Sequence, residues 1–315
     1  MDAARDVFTE KIVEAEDLKL LARVDTNGYE CHGHNCRIRA IPCSYRIDNL
    51  VRPYFRYRIA HGNECDVAAE KEIVALGSKK SVRAQLETSP GLSPAKLLLT
   101  DTRVVVDQDG KDEIREITAS TRRQGSPAPG PRPQGRRAAN SIRPICRAFL
   151  WFPFDRDLSL SIDGVEANNY QTAFKFLYKS SSPLETFSRK RIFFSCVSWR
   201  RPEQSDSKLL VPLDAGAWID GKLSCYSLAI DWSGWSATAR SRLLNELELA
   251  RNENMEQSKK EKKGNEGKPS KKNQGPRTYI FFLGEQDSQE RSMFHVNDAR
   301  LICTVNGVLE FPPRP

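Results

Sequence analysis

The chain has 315 residues, with 49 Lys and Arg against 41 Asp and Glu, a net charge of +8 and eight cysteines. That length suits two domains, and no run approaches the ~18 apolar residues that a membrane-spanning helix requires. The opening "MDAARDVFTEK" has no apolar core of a secretory signal. Half of the cysteines are grouped with histidines, which predicts a reducing, cytoplasmic setting and a metal site rather than a disulfide framework.

The positive charge is concentrated. Residues 119–144 carry six arginines and no acid, and residues 251–277 carry nine basic and four acidic residues. Those stretches hold +11, so the remainder of the chain is at −3. The segments expected to fold are therefore not broadly basic.

In chain order, "KLLARV" reads as a strand that turns through Asp25-Thr26-Asn27-Gly28 into "YEC". From Cys31 to Cys65 lie three of the four histidines and four of the eight cysteines. Cys31-x4-Cys36 and His61-x3-Cys65 are short-range chelating pairs with the spacing of structural zinc sites. Two such pairs, joined by a loop, complete a tetrahedron while ordering little chain. The expected ligands are Cys31, Cys36, His61 and Cys65, with His32 or His34 able to replace a member. Three thiols and no open position make the site structural rather than catalytic.

Between the pairs, "RIRAIPCSYRI" and "VRPYFRYRI" read as two strands of a hairpin, with Pro53 at an edge or a start. The hairpin holds Arg37, Arg39, Arg46, Arg52, Arg56 and Arg58 beside Tyr45, Tyr54, Phe55 and Tyr57, with Asp48 its one acid. Guanidinium groups next to flat aromatic rings suit phosphates and unstacked bases. The competing expectation is that the aromatics form a small core and the arginines are simply solvated. Arg37, Arg39, Arg52, Arg56, Arg58, Tyr54 and Phe55 are the candidate nucleic-acid contacts.

The order "YECHGHNC … VRPYFRYRIAHGNEC", followed by the polar helix "DVAAEKEIVAL", resembles the zinc-ribbon-type N-terminal module of competence CoiA-like and related prokaryotic proteins. The likeness spans about residues 20–75. It implies that a nuclease domain follows, holding Mg2+ through an acidic residue and a strand carrying E-x-K. The E-x-K at Glu261-Lys262-Lys263 falls in a lysine-rich stretch without a strand, so that half of the likeness does not carry over.

After the helix, which Gly77 ends, residues 93–120 read as two strands joined at Asp107-Gln108-Asp109-Gly110. Asp101, Asp107, Asp109 and Asp112 are expected to be turn residues rather than a metal cluster. Five prolines among arginines, glycines and serines make residues 119–144 a linker. It separates an expected zinc-binding domain, 1–118, from a second domain, 145–315.

In the second domain "KRIFFSCVSW", "GKLSCYSLAIDW" and "RTYIFFLG" are strands, and "ARLICTVNGVLEF" supplies a last strand or hairpin. Ala239, Leu243, Leu247 and Ala250 line one face of a helix that Ser236 caps. Residues 256–275 read as a mobile, lysine-rich insertion. The fold class is α+β, mostly β in its second half, and strands, a helix, then strands is the order of a five-stranded OB-type barrel. Cys196, Cys225 and Cys303 are expected to be core thiols, and His295 to serve packing or the surface.

No phosphate-binding G-x-x-x-x-G-K-[ST] or G-x-G-x-x-G motif occurs, and no G-x-S-x-G nucleophile elbow. The expectation is a non-enzymatic, zinc-stabilised nucleic-acid-binding protein, a subunit of a prokaryotic DNA- or RNA-handling system. A protein-interaction adaptor in a defence or mobile-element complex is the alternative, and a metal-dependent nuclease the third.

Overall fold

A computed structural model describes residues 1–312, apart from 22, 34–35, 47, 50, 63–64, 90, 100–135, 220 and 265–274. The chain divides into Met1–Asn140 and Ser141–Pro315. Of the hairpin expected over residues 93–120, the part from residue 100 onward lies outside the described residues, as does most of the expected linker. Arg136 to Asn140 belong to the first unit, where the Arg136 guanidinium donates to the carbonyls of Ser93 (2.7 Å) and Pro94 (2.9 Å). The last expected linker residues begin a helix instead, as described below. Among the described residues no helix is long and apolar enough to cross a membrane.

The first unit opens with β1 (Ala3–Asp6) and β2 (Ile12–Glu14), an antiparallel pair. A 3-10 helix over Ala15–Leu20 takes up the start of the expected "KLLARV" strand. It buries Ala15 and Leu18, an i, i+3 pair, against the strands, a spacing that an extended chain would not put on one face. The Asp25 turn forms as expected, its carboxylate accepting from Asn27 N–H at 2.9 Å.

Next come β3 (Tyr29–Glu30), β4 (Ala40–Cys43) and β5 (Tyr54–Tyr57). β3 pairs with β1, a Glu30–Arg39 bridge leads to β4, β4 pairs with β5, and Phe55 exchanges backbone hydrogen bonds with Met1. The strands thereby close into a small ring around Ala4, Tyr29, Ala40 and Phe55. Helices α1 (Glu70–Gly77) and α2 (Arg83–Thr88) follow, then β6 (Lys96–Leu97), which pairs in parallel with β7 (Ala138–Ala139).

The second unit begins with α3 (Ile142–Trp151), β8 (Ser161–Ile162), the short α4 (Tyr170–Ala173), β9 (Phe174–Phe176) and β10 (Lys179–Ser180). Then come β11 (Arg191–Cys196), β12 (Glu203–Gln204), β13 (Lys208–Ile219) and β14 (Lys222–Asp231). After α5 (Ala237–Gly264), the chain ends in β15 (Arg277–Gln286), β16 (Met293–Val296) and β17 (Ile302–Gly307).

β13 and β14 are antiparallel, β14 and β16 parallel, and β15 lies antiparallel to both β16 and β11. A Val197–Leu213 bridge carries β11 back to β13. Counting β11 as the first strand, the third and fifth run parallel, and α5 joins the third to the fourth. That is the connectivity of a five-stranded Greek-key barrel of the OB type.

The two Phe-Phe pairs show why these strands read as continuous apolar runs. Phe193 pairs with Phe282, and Phe194 with Phe281. Successive side chains on a strand point to opposite faces. Phe193 and Phe282 meet Phe294, while Phe194 and Phe281 lie on the face that Phe149 of α3 covers, with Phe149 5.3 Å from Phe194.

α5 buries Leu243, Leu247 and Ala250 as its periodicity requires, and Ser236 accepts from Ala239 N–H at 3.2 Å. It continues to Gly264, so the first part of the expected lysine-rich insertion is helical. Lysine and glutamate are good helix formers, and the Gln257–Glu261 contact at 3.3 Å spans one turn.

Candidate metal centre

Each arm of the centre is a tight turn that follows a strand. Cys31 comes directly after β3, where its N–H donates to Ile38 O at 2.8 Å, and Cys36 N–H returns to Gly33 O at 3.3 Å. On the other arm, after β5, Cys65 N–H donates to Gly62 O at 3.0 Å. The strands set the two arms apart, and the turns aim the side chains at one point.

Cys31, Cys36, His61 and Cys65 meet with all four ligand atoms within 4.8 Å of one another. His61 Nδ1 lies 3.4 Å from the Cys31 sulfur, 3.6 Å from that of Cys36 and 3.4 Å from that of Cys65. The Cys31 and Cys65 sulfurs are 3.7 Å apart. A tetrahedral ion with metal–sulfur bonds of about 2.3 Å and metal–nitrogen bonds of about 2.0–2.1 Å has edges of about 3.8 and 3.5 Å. The four side chains therefore already have the spacing of a shared tetrahedral ion, and this buried group can hold one.

Burial pushes the Cys31 thiol well up, opposed by the Gly33 N–H, which donates to its sulfur at 3.3 Å. It also pushes up the Cys65 thiol, where Val67 N–H opposes it, and it pushes His61 down. A bound cation reverses the balance at the sulfurs by displacing their protons. Gly33 is required sterically: a Cβ there would stand 2.6 Å from the Cys65 sulfur. The glycine inside "CHGHNC" was the signal available for this role.

His32 is engaged elsewhere. Its Nδ1 meets Ala3 O at 3.2 Å and its Nε2 lies 3.8 Å from a Glu70 oxygen. His34, the other alternate, lies outside the described residues. Tyr57 packs its ring against His61, with centroids 4.6 Å apart, and against the cysteine cluster. It is a neighbour of the centre that spacing alone did not disclose.

The hairpin residues divide by the pleat. The pairs Pro42–Phe55 and Ala40–Tyr57 face inward, and Cys43–Tyr54 and Ile41–Arg56 face outward. Phe55 is 1% exposed, so its expected role as a contact is corrected to a core residue, 5.4 Å from the Tyr29 ring. Tyr54, Arg56 and Arg58 are exposed. Arg52 is half-buried. Arg37 lies 3.9 Å from Glu30, and Arg39 donates to Thr26 O and Asn27 Oδ1, which ties it to the Asp25 turn.

In the second unit Trp199, Arg200 and Arg201 stand exposed and consecutive in the loop after β11, and Trp218 is exposed near the end of β13. His295 is exposed and bound to Asp287 at 2.9 Å, and Cys303 is buried as expected. Comparison with protein-family models, curated proteins and solved structures gives no match.

Proposed function

We propose that this chain is a zinc-stabilised nucleic-acid-binding protein, a non-catalytic subunit of a prokaryotic DNA- or RNA-handling system. Zinc is the choice because a closed set of three thiolates and one imidazole in a tetrahedron suits its softness and its lack of geometric preference. The ion would be structural, fastening the turn after β3 to the turn after β5. The prokaryotic assignment rests on the CoiA-like order of these motifs.

The observation that carries the nucleic-acid reading is the outward face of β5. Tyr54 and Arg56 share it, with Arg58 exposed beyond, while Phe55 turns inward and braces the strand. A ring for stacking beside cations for phosphates is the equipment of a single-strand binder. The test is titration of a labelled single-stranded oligonucleotide at two salt concentrations. Removing Tyr54, Arg56 and Arg58 together should abolish most of the affinity and flatten the salt dependence by about 0.7 per lost phosphate contact. Unchanged affinity at both salts would remove the hairpin from consideration.

The adaptor reading has one observation in its favour. Exposed tryptophan beside arginine, as in Trp199-Arg200-Arg201, is the composition of protein-interface hot spots. Capture of a protein partner that Trp199→Ala abolishes, together with no oligonucleotide binding, would favour it. Nuclease chemistry gains no support, since Glu261 of that E-x-K sequence sits on helix α5 and is paired with Arg277 of β15.

A further inference from the structure

We infer that the mouth of the second unit's barrel is a peptide-docking site that the chain's own Glu185-Thr186-Phe187 fills in cis. The partner it fits is a protein presenting, in trans, an extended segment with a carboxylate two residues before an aromatic ring.

One side chain from each of five strands builds the seat: Lys175 of β9, Phe193 of β11, Tyr226 of β14, Gln286 of β15 and Phe294 of β16. The Phe187 ring enters among the rings of Phe193, Phe294 and Tyr226, at centroid distances of 5.2, 6.0 and 6.4 Å. Side chains also grip the backbone on either side of Thr186. The Tyr226 hydroxyl accepts from the Glu185 N–H at 2.9 Å. The Gln286 amide oxygen accepts from the Phe187 N–H at 2.7 Å, and its amide nitrogen donates to the Glu185 carbonyl at 2.9 Å. Lys175 completes the seat, 2.9 Å from the Glu185 carboxylate and 5.2 Å from the centroid of the Phe187 ring.

A protein reads a separate peptide in this way: hydrogen bonds to the main chain supply affinity, and pockets for alternate side chains supply specificity. Residues 181–190 form neither helix nor strand, and most are exposed. Among the described residues they make no backbone pairing with the barrel. The five strands are held instead by their own ladders. The seat therefore stays formed when the segment leaves, and a barrel mouth is a common place for a binding site. A foreign segment with the same two side chains reproduces each contact. A purely apolar ligand would leave Lys175, Gln286 and the Tyr226 hydroxyl unmet, so the occupant is a peptide. On its short connections the cis segment competes at millimolar effective concentration, which closes the site to weak ligands.

The test uses the full chain and a fluorescent peptide, Leu-Glu-Thr-Phe-Ser, which copies residues 184–188. Phe187→Ala empties the ring pocket. Its affinity for the peptide should exceed the parent's by at least about tenfold, because a competitor at millimolar effective concentration has been removed. Replacing the peptide's phenylalanine by alanine should abolish binding, and replacing its glutamate by lysine should weaken it. No binding to Phe187→Ala at millimolar peptide, or equal binding of the alanine peptide, would overturn the proposal. If Phe187→Ala does not fold, Glu185→Lys decides. That position is exposed, and the reversed charge faces Lys175, so the cis segment should loosen and peptide affinity should again rise. Affinity no higher than the parent's would refute the docking site. Sedimentation of the parent tests the other occupant. A dimer that Phe187→Ala abolishes would give the seat to the segment of a second copy and overturn the foreign partner; none is expected.

Discussion

The sulfurs of Cys31 and Cys65 stand 3.7 Å apart, although the residues are separated by 34 positions. A disulfide would need about 2.05 Å between them, and unrelated buried thiols have no reason to meet a third cysteine and an imidazole as well. The distance matches the edge of a coordination tetrahedron, so the four side chains can hold a metal ion.

Metal removal therefore has a local outcome. Purified without chelators, the protein should contain close to one zinc per chain by elemental analysis. Cys36→Ser or Cys65→Ser should unfold the first unit and leave the thermal transition of the second in place. Structural zinc sites supply folding free energy outright, so a chelator should act as the substitutions do.

The dependence on pH should change sign with the metal. In the metal-free unit, burial raises the Cys31 and Cys65 thiols. Their contribution is full below the ordinary thiol value of about 8.5 and is lost as pH climbs through the raised values. In the loaded unit the thiolates are bound and protons compete with zinc, so stability should fall as pH drops. Unfolding followed across pH with and without chelator would reveal the two opposed slopes.

Gly33→Ala tests the close approach of the first arm to Cys65. The added methyl would meet the sulfur at 2.6 Å, so one arm has to move. A cost of about 1–3 kcal/mol to the first unit is expected, as for overpacking of a core. Chelator competition should show the loss in the same variant if the displaced sulfur is a metal ligand as proposed.

Tyr54 and Phe55 are neighbours with opposite predicted effects. Phe55→Ala should destabilise the first unit by about 3–5 kcal/mol, as for a buried aromatic. Tyr54→Ala should leave stability within about 0.5 kcal/mol. It should weaken oligonucleotide binding by about 1–3 kcal/mol through lost stacking. Denaturation and titration of the same two proteins check both halves.

The second unit has its own buried ion pair. The Arg143 guanidinium donates to a Glu246 oxygen at 2.8 Å, and the other oxygen accepts from Thr304 N–H at 2.6 Å. Removing one partner of a buried pair typically costs about 3–5 kcal/mol, because the other charge is left uncompensated. Glu246→Ala should lower the unfolding free energy of the second unit in urea by about that amount, and Arg143→Ala by less, because Arg242 lies 3.9 Å from the same carboxylate. The first-unit transition should not move.

The Cys3His cluster could be read from the sequence because its pairs are local: four residues separate Cys31 from Cys36, and three separate His61 from Cys65. In the second unit β11 and β15 were legible because "RIFFSC" and "YIFFL" are too apolar to face water on either side, whereas β13 (Lys208–Ile219) and β16 (Met293–Val296), two of the five barrel strands, were not read as strands. The inward phase of Phe55 was not legible, because it depends on which residue of β4 lies opposite. Arg143 was hidden by its proline-rich surroundings, and its partner lies 103 positions away. The helical start of "KKEKK" was obscured by low complexity, which describes composition rather than conformation.

Phe193 and Phe194 face two different interiors, one inside the barrel and one beneath α3. A single strand is thus a wall shared by both rooms. Neither interior can lose its order without pulling the same backbone, and with it the lining of the other. The second unit should therefore melt as one body, and a fluorophore placed in either interior should report the same transition temperature.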